Sequence, residues 1–173
     1  LIQFGHNDAK KSTDEDIKNR YTDPEGDIET EGSFKNSLYE NYIKLAEEKK
    51  AVPVLISPVS RRKFDEEGKI TDSHGLYDDA VRELAEETGV KFVDMTKETE
   101  EIYNFFGSEL TKIFHAAYKD KSKGIDNTHF NSFGAICMAS GITQEIQLPF
   151  NAGSLDSLTR GEFIEYLMRT LCE

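Results

Sequence analysis

Val52-Pro53-Val54-Leu55-Ile56-Ser57 decides how this chain folds. The run is short, almost continuously apolar and partly β-branched, the pattern of a strand covered on both faces. Pro53 fits near its beginning, where a missing N–H does least harm to the ladder. Working upstream, Phe34, Leu38, Tyr42, Leu45 and Ala46 recur at helical spacing behind Ser33, a good N-cap, and predict a helix running to about Lys50. Leu1-Ile2-Gln3-Phe4 before it reads as another buried strand, and strand, helix, strand implies a right-handed parallel crossover. Working downstream, Leu76, Ala80, Val81, Leu84 and Ala85 share a helical face, Gly89 closes that helix, and Val90-Lys91-Phe92-Val93-Asp94 is a third strand. The order β, α, β, α, β predicts a flavodoxin-like three-layer α/β/α sandwich with a parallel sheet.

The rest of the chain fits around that frame. Lys10 to Gly32 is polar, acidic and broken by Asp23-Pro24-Glu25-Gly26, a long surface loop that reads equally as a lid or as a solvated insertion. Met95 to Phe106 is helical with Ile102, Phe105 and Phe106 as core, and Leu110 to Tyr118 is mixed. A last helix from about Ser132 to Gln147 carries Ala135, Ile136, Ala139 and Ile142. Residues 1–150 are therefore one domain. Residues 151–173 are a linker, Asn151-Ala152-Gly153-Ser154, and a helix whose Leu158-Thr159-Arg160-Gly161-Glu162-Phe163 resembles the start of a surface-layer-homology repeat. Leu1 opens inside a core strand with no initiator Met, which reads as a chain lacking upstream sequence and leaving apolar sheet edge exposed.

Composition narrows the function. A chain of 173 residues with 37% hydrophobic and 31% charged residues is a globular domain able to bury a core. Its net charge of −12 argues against nucleic acid or an anionic membrane as partner. No apolar run approaches the roughly 20 residues of a membrane span. Cys137 and Cys172 lack metal or redox spacing and read as free thiols.

Chemistry concentrates where strands end. Gly5-His6-Asn7-Asp8 leaves the first strand and Pro58-Val59-Ser60-Arg61-Arg62 the second, at the carboxyl ends where open α/β folds bind ligands. Arg61 and Arg62 read either as holders of a carboxylate or sugar ring or as solvated loop residues. In Asp126-Asn127-Thr128-His129-Phe130-Asn131 an acid stands three residues before a histidine in one short loop. The acid can accept from one imidazole nitrogen while the other faces outward, giving a general base of fixed tautomer. Ser57 and Ser60 lack the flanking glycines of a nucleophile elbow. His6, Asp8, Asp126 and His129 are also possible metal ligands, but the order Gly-His-Asn and the lack of further acid and histidine blocks disfavour that reading.

These blocks carry a resemblance. Gly5-His6-Asn7-Asp8 resembles the Gly-x-Asn-Asp block, and Asp126-Asn127-Thr128-His129 the Asp-x-x-His block, of the SGNH (GDSL-like) hydrolases. Ile2 to Asp8, Pro53 to Arg62, His74-Gly75-Leu76-Tyr77 and Asp126 to Asn131 are most similar to the rhamnogalacturonan acetylesterases within that superfamily. The resemblance implies a serine esterase that removes acetyl groups from a pectin-type polysaccharide, without a cofactor, and favours a secreted or cell-surface location. It implies Asn7 and Gly5 at the oxyanion turn, His129 as general base, Asp126 as its orienting acid and His74 on the substrate groove. The family's Gly-Asp-Ser block is missing from this chain, so the nucleophile is expected outside it; the competing expectation is a non-catalytic carbohydrate-binding or surface module.

Overall fold

The structure, a computed structural model, describes residues 1–11 and 20–146. The expected linker and helix after Pro149, and Cys172, lie outside the described residues. β1 (Ile2–Gln3), β2 (Val54–Ile56) and β3 (Lys91–Val93) form a parallel sheet in the order β1-β2-β3, with Ile2 opposite Leu55 and Leu55 opposite Phe92. β2 is buried along its whole length, and its alternation builds two cores. Val54 and Ile56 pack with Val93, Met95, Tyr103, Phe106, Phe114 and Met138, whereas Leu55 packs with Ile2, Phe34, Leu38, Ile43, Val81 and Leu84. Helices on both faces of a parallel sheet are the three-layer α/β/α arrangement expected from the β2 run.

The first crossover helix departs from its expected face. α1 (Phe34–Leu38) is capped by Ser33 Oγ, which accepts from the Asn36 N–H, but it passes through a π turn at Tyr39–Ile43 before α2 (Lys44–Glu48). A π turn adds one residue to the helical repeat. The buried position after Leu38 is consequently Ile43, fully enclosed, and the expected Tyr42 and Leu45 are 42% and 50% exposed. Tyr42 instead meets Phe4 beyond β1 in a tilted ring contact, with centroids 4.8 Å apart, so partly exposed apolar surface lies beside β1, which is an edge strand among the described residues.

α3 (Leu76–Thr88) ends at Gly89 in the left-handed conformation, as its sequence requires. Its buried face begins at Tyr77, with Leu76 turned outward. α4 (Met95–Leu110) is capped by the Asp94 carboxylate, which accepts from the Lys97 N–H, and is kinked at Gly107, where φ is 73°. Tyr103, not Phe105, is its central buried aromatic: the hydroxyl pairs with His115 Nε2 at 2.8 Å, and Phe105 is left 60% exposed.

The segment read as a loop around Asp126 is a strand. β4 (His115–Ala117) and β5 (Ile125–Phe130) form an antiparallel hairpin with an irregular register, pairing His115 with Phe130. Its polar residues hid it from a hydrophobic pattern. α5 (Ser132–Ile146) follows. A Cβ on Gly134 would lie 2.0 Å from the Phe114 carbonyl oxygen, so backbone contact fixes the rotation of this helix. Cys137 and Met138 are thereby buried, each 5% exposed, and the expected core residue Ile136 is 45% exposed.

Candidate active site

β5 presents the acid and the base together. Asp126 Oδ1 accepts from the backbone N–H groups of Thr128 (2.7 Å) and His129 (3.0 Å), and Oδ2 lies 2.8 Å from His129 Nδ1. A carboxylate only accepts, so Nδ1 carries the proton and Nε2 holds the lone pair of a base. The Asp126 side chain is 14% exposed and that of His129 is 77% exposed. Burial alone would raise the Asp126 carboxyl, but the bonds from His129 and Thr128 outweigh it and hold it below the ordinary carboxylate value.

Across from this pair, the chain leaving β1 turns sharply. Gly5 donates its N–H to Asp8 Oδ2 at 2.8 Å and adopts a φ of 120°, with Pro58 and Tyr77 so close that an added Cβ would stand 3.2 Å from Pro58 Cγ. Only glycine takes this backbone without strain. The Tyr77 hydroxyl bridges the carbonyls of Asp8 and Thr22, tying the turn to the segment beyond it. Lys10 Nζ donates to Asn7 Oδ1 at 2.8 Å, so the amide NH2 is the end of Asn7 left to donate to a ligand.

Between the two lies a groove of about 790 Å³, lined in part by His6, Asn7, Lys10, Arg61, His129 and Met138. Ala135, Met138, Ala139 and Ile142 give it an apolar wall along α5; the stripe expected to be core is in large part groove surface. Among the described residues no carboxylate lines it, although the chain carries 33 acids against 21 Lys and Arg. Asp8, weighed as a metal ligand, is used in closing its own turn.

His74 does not line the groove. Its N–H and that of Gly75 donate to Asp72 Oδ1, a turn that directs the ring inward, where it is 5% exposed and its Nε2 sits 2.9 Å from His6 Nδ1. His6 is the ring that reaches the groove, in edge-to-face contact with His74. Burial, reinforced by Arg61, His129 and Lys10, lowers His6 to about 4. Burial, with His6 and Arg61, lowers His74 to about 4.

The two arginines left open by the sequence are braces. Arg61 donates to the carbonyls of His6 (2.8 Å) and Ser73 (3.3 Å), and the Arg62 N–H donates to the Asn127 carbonyl while its guanidinium reaches Ser108. Their place at the carboxyl end of β2 was the available signal; the partners, far off in sequence, were not. Ser57 and Ser60 are both buried: Ser57 Oγ accepts from the Thr96 N–H at 2.9 Å, and the Ser60 N–H donates to Thr99.

The chain is 33% identical over 159 residues to the rhamnogalacturonan acetylesterase RhgT of Bacillus subtilis strain 168, a match covering 85% of this chain and 60% of RhgT. It is 34% identical over 148 residues to the probable rhamnogalacturonan acetylesterase YesY of the same organism, covering 85% of this chain and 61% of YesY. The crystal structure of Bacillus subtilis YxiM matches with a TM-score of 0.61 at 26% identity, over 87% of this chain and 37% of YxiM. No family model matches the chain. The chain spans about three fifths of the length of these curated relatives. With the Asp-x-x-His pair and the Gly-x-Asn-Asp turn facing one groove in a parallel α/β/α fold, the chain is similar to the rhamnogalacturonan acetylesterases RhgT and YesY over 85% of its own length.

Proposed function

We propose that this chain carries the acid–base half of a serine acetylesterase acting on an acetylated, uronate-bearing polysaccharide of the rhamnogalacturonan type, with the nucleophile supplied from outside these residues. The observation that carries the reading is the Asp126–His129 pair, whose Nδ1 is committed to a carboxylate while the ring projects at a groove shared with Asn7. Among the described residues no serine lines the groove, and Ser57 and Ser60 are buried inside the fold. Its cations support an acidic polymer: Lys10 and Arg61 hydrogen-bond neutral groups, and neither forms an ion pair among the described residues.

In the reaction, His129 takes the serine proton as the hydroxyl attacks the acetyl carbon, and Asp126 stabilises the imidazolium. The carbonyl oxygen gains negative charge, toward which the Asn7 amide donates; one such donor accelerates the step by about 10² to 10³. His129 then gives its proton to the departing sugar oxygen, which leaves as a hydroxyl, and water repeats the sequence on the acetyl-enzyme to release acetate.

The test is hydrolysis of p-nitrophenyl acetate and acetylated pectin by the full-length protein beside His129→Ala and Lys10→Gln. Activity on both esters, abolished in His129→Ala, supports the esterase. A rise of about threefold in KM for pectin alone in Lys10→Gln supports the acidic substrate. A folded full-length protein inert toward both esters overturns the reading and leaves a binding module.

A further inference from the structure

Between the oxyanion turn and α3 runs a line of polar atoms that the hydrolytic steps leave unused. Ser73 Oγ accepts from the Arg61 N–H at 3.0 Å and lies 3.2 Å from His74 Nδ1. His74 Nε2 lies 2.9 Å from His6 Nδ1, and His6 reaches the groove. We propose that Ser73 and His74 fix His6 in the tautomer that presents Nε2–H to the groove, making His6 a neutral donor to an oxygen of the sugar that bears the ester.

Proton counting sets the direction. One lone pair of Ser73 Oγ is taken by the Arg61 amide, and its own proton finds an acceptor in His74 Nδ1. His74 then carries its proton on Nε2 and donates to His6 Nδ1. With Nδ1 of His6 accepting, the proton of that ring sits on Nε2. The opposite polarity makes Ser73 Oγ accept twice and leaves its proton without an acceptor among the bonds this hydroxyl makes in the described structure. Burial keeps both rings neutral at pH 7, so the relay carries one proton per link. Two side chains hold the line in place: Asp72 anchors the His74 turn and Arg61 grips both the His6 and Ser73 carbonyls.

A neutral donor suits this place chemically. It hydrogen-bonds a sugar hydroxyl or ring oxygen without competing with His129 for the proton in transit. His74 and Ser73 are thus positioning residues, and His6 is a specificity residue. The role of His6 toward the sugar rests on the esterase reading, whereas the tautomer is a property of the fold.

The experiment separates the two. Long-range ¹H–¹⁵N correlation spectra of the ¹⁵N-histidine-labelled full-length protein at pH 7 report each ring's tautomer directly. His6 and His74 are both expected with Nε2 protonated and Nδ1 bare; Nδ1 protonation of His6 overturns the proposal whether or not the protein is an esterase. Ser73→Ala and His74→Phe are then compared with wild type on p-nitrophenyl acetate, which has no sugar, and on an acetylated oligogalacturonide. The expected result is a fall of about fivefold in kcat/KM for the oligosaccharide, the worth of one neutral hydrogen bond, with the small ester unchanged. Equal losses on both esters, or none on either in folded variants, also overturn it.

Discussion

The Asp126 carboxylate holds His129 by both its main chain and its ring, Oδ1 accepting the backbone N–H at 3.0 Å and Oδ2 facing Nδ1 at 2.8 Å. One side chain therefore shapes the strand and selects the tautomer. In Asp126→Asn an amide faces Nδ1 and favours the wrong tautomer with little change in size. kcat on p-nitrophenyl acetate in the full-length protein is expected to fall by on the order of 10³ to 10⁴ with the fold retained by circular dichroism. A loss below tenfold contradicts the assigned role.

Ser57 directly follows the end of β2, and its burial makes a clean control. Ser57→Ala removes the acceptor for the Thr96 N–H at the start of α4, which should cost about 1 to 3 kcal/mol of stability. Full specific activity at a lower denaturation midpoint is the expected result. Abolished activity at unchanged stability would make Ser57 the nucleophile.

Three histidines give stability a defined acid limb. His6, His74 and His115 are each lowered from 6.5 to about 4, chiefly by burial, with Arg62 the next cause at His115. The unfolded chain binds these protons more readily than the folded one. Stability is therefore complete above pH 6.5 and declines as pH falls toward 4. The Tm of His115→Phe, measured by circular dichroism from pH 7 to 4, should decline less steeply than that of wild type. Identical slopes would remove His115 from the account.

Gly134 sets where the groove wall stands. Adding one methyl group places it 2.0 Å from the Phe114 carbonyl oxygen, so α5 must retreat from the segment before β4. Gly134→Ala is expected to lose about 3 kcal/mol in urea denaturation, with Ser132→Ala, an exposed change at the same helix end, close to wild type.

What the sequence revealed follows the range of the forces involved. The β2 run and the Gly89 stop were legible because a strand's burial and a helix's end are written in adjacent residues. Asp126 and His129 were legible for the same reason, their bond spanning three positions. The partner of the His74 ring was not, since His6 lies 68 positions away. The shift from Tyr42 to Ile43 was hidden by a π turn, which leaves composition unchanged while altering the helical repeat by one. The rotation of α5 depends on one carbonyl met by a residue with no side chain.

Arg61 and Arg62 clamp the near end of the segment that leaves β2, and Asp72 clamps its far end at His74. Between the clamps, Phe64 and Ile70 bridge antiparallel beneath an exposed Asp65–Lys69 turn. The tip is thereby mechanically insulated from Arg61 and His74 at its base. Residues added at Glu66-Glu67 extend outward from a closed base, which makes this hairpin a grafting point that leaves Arg61 and His74 in their places.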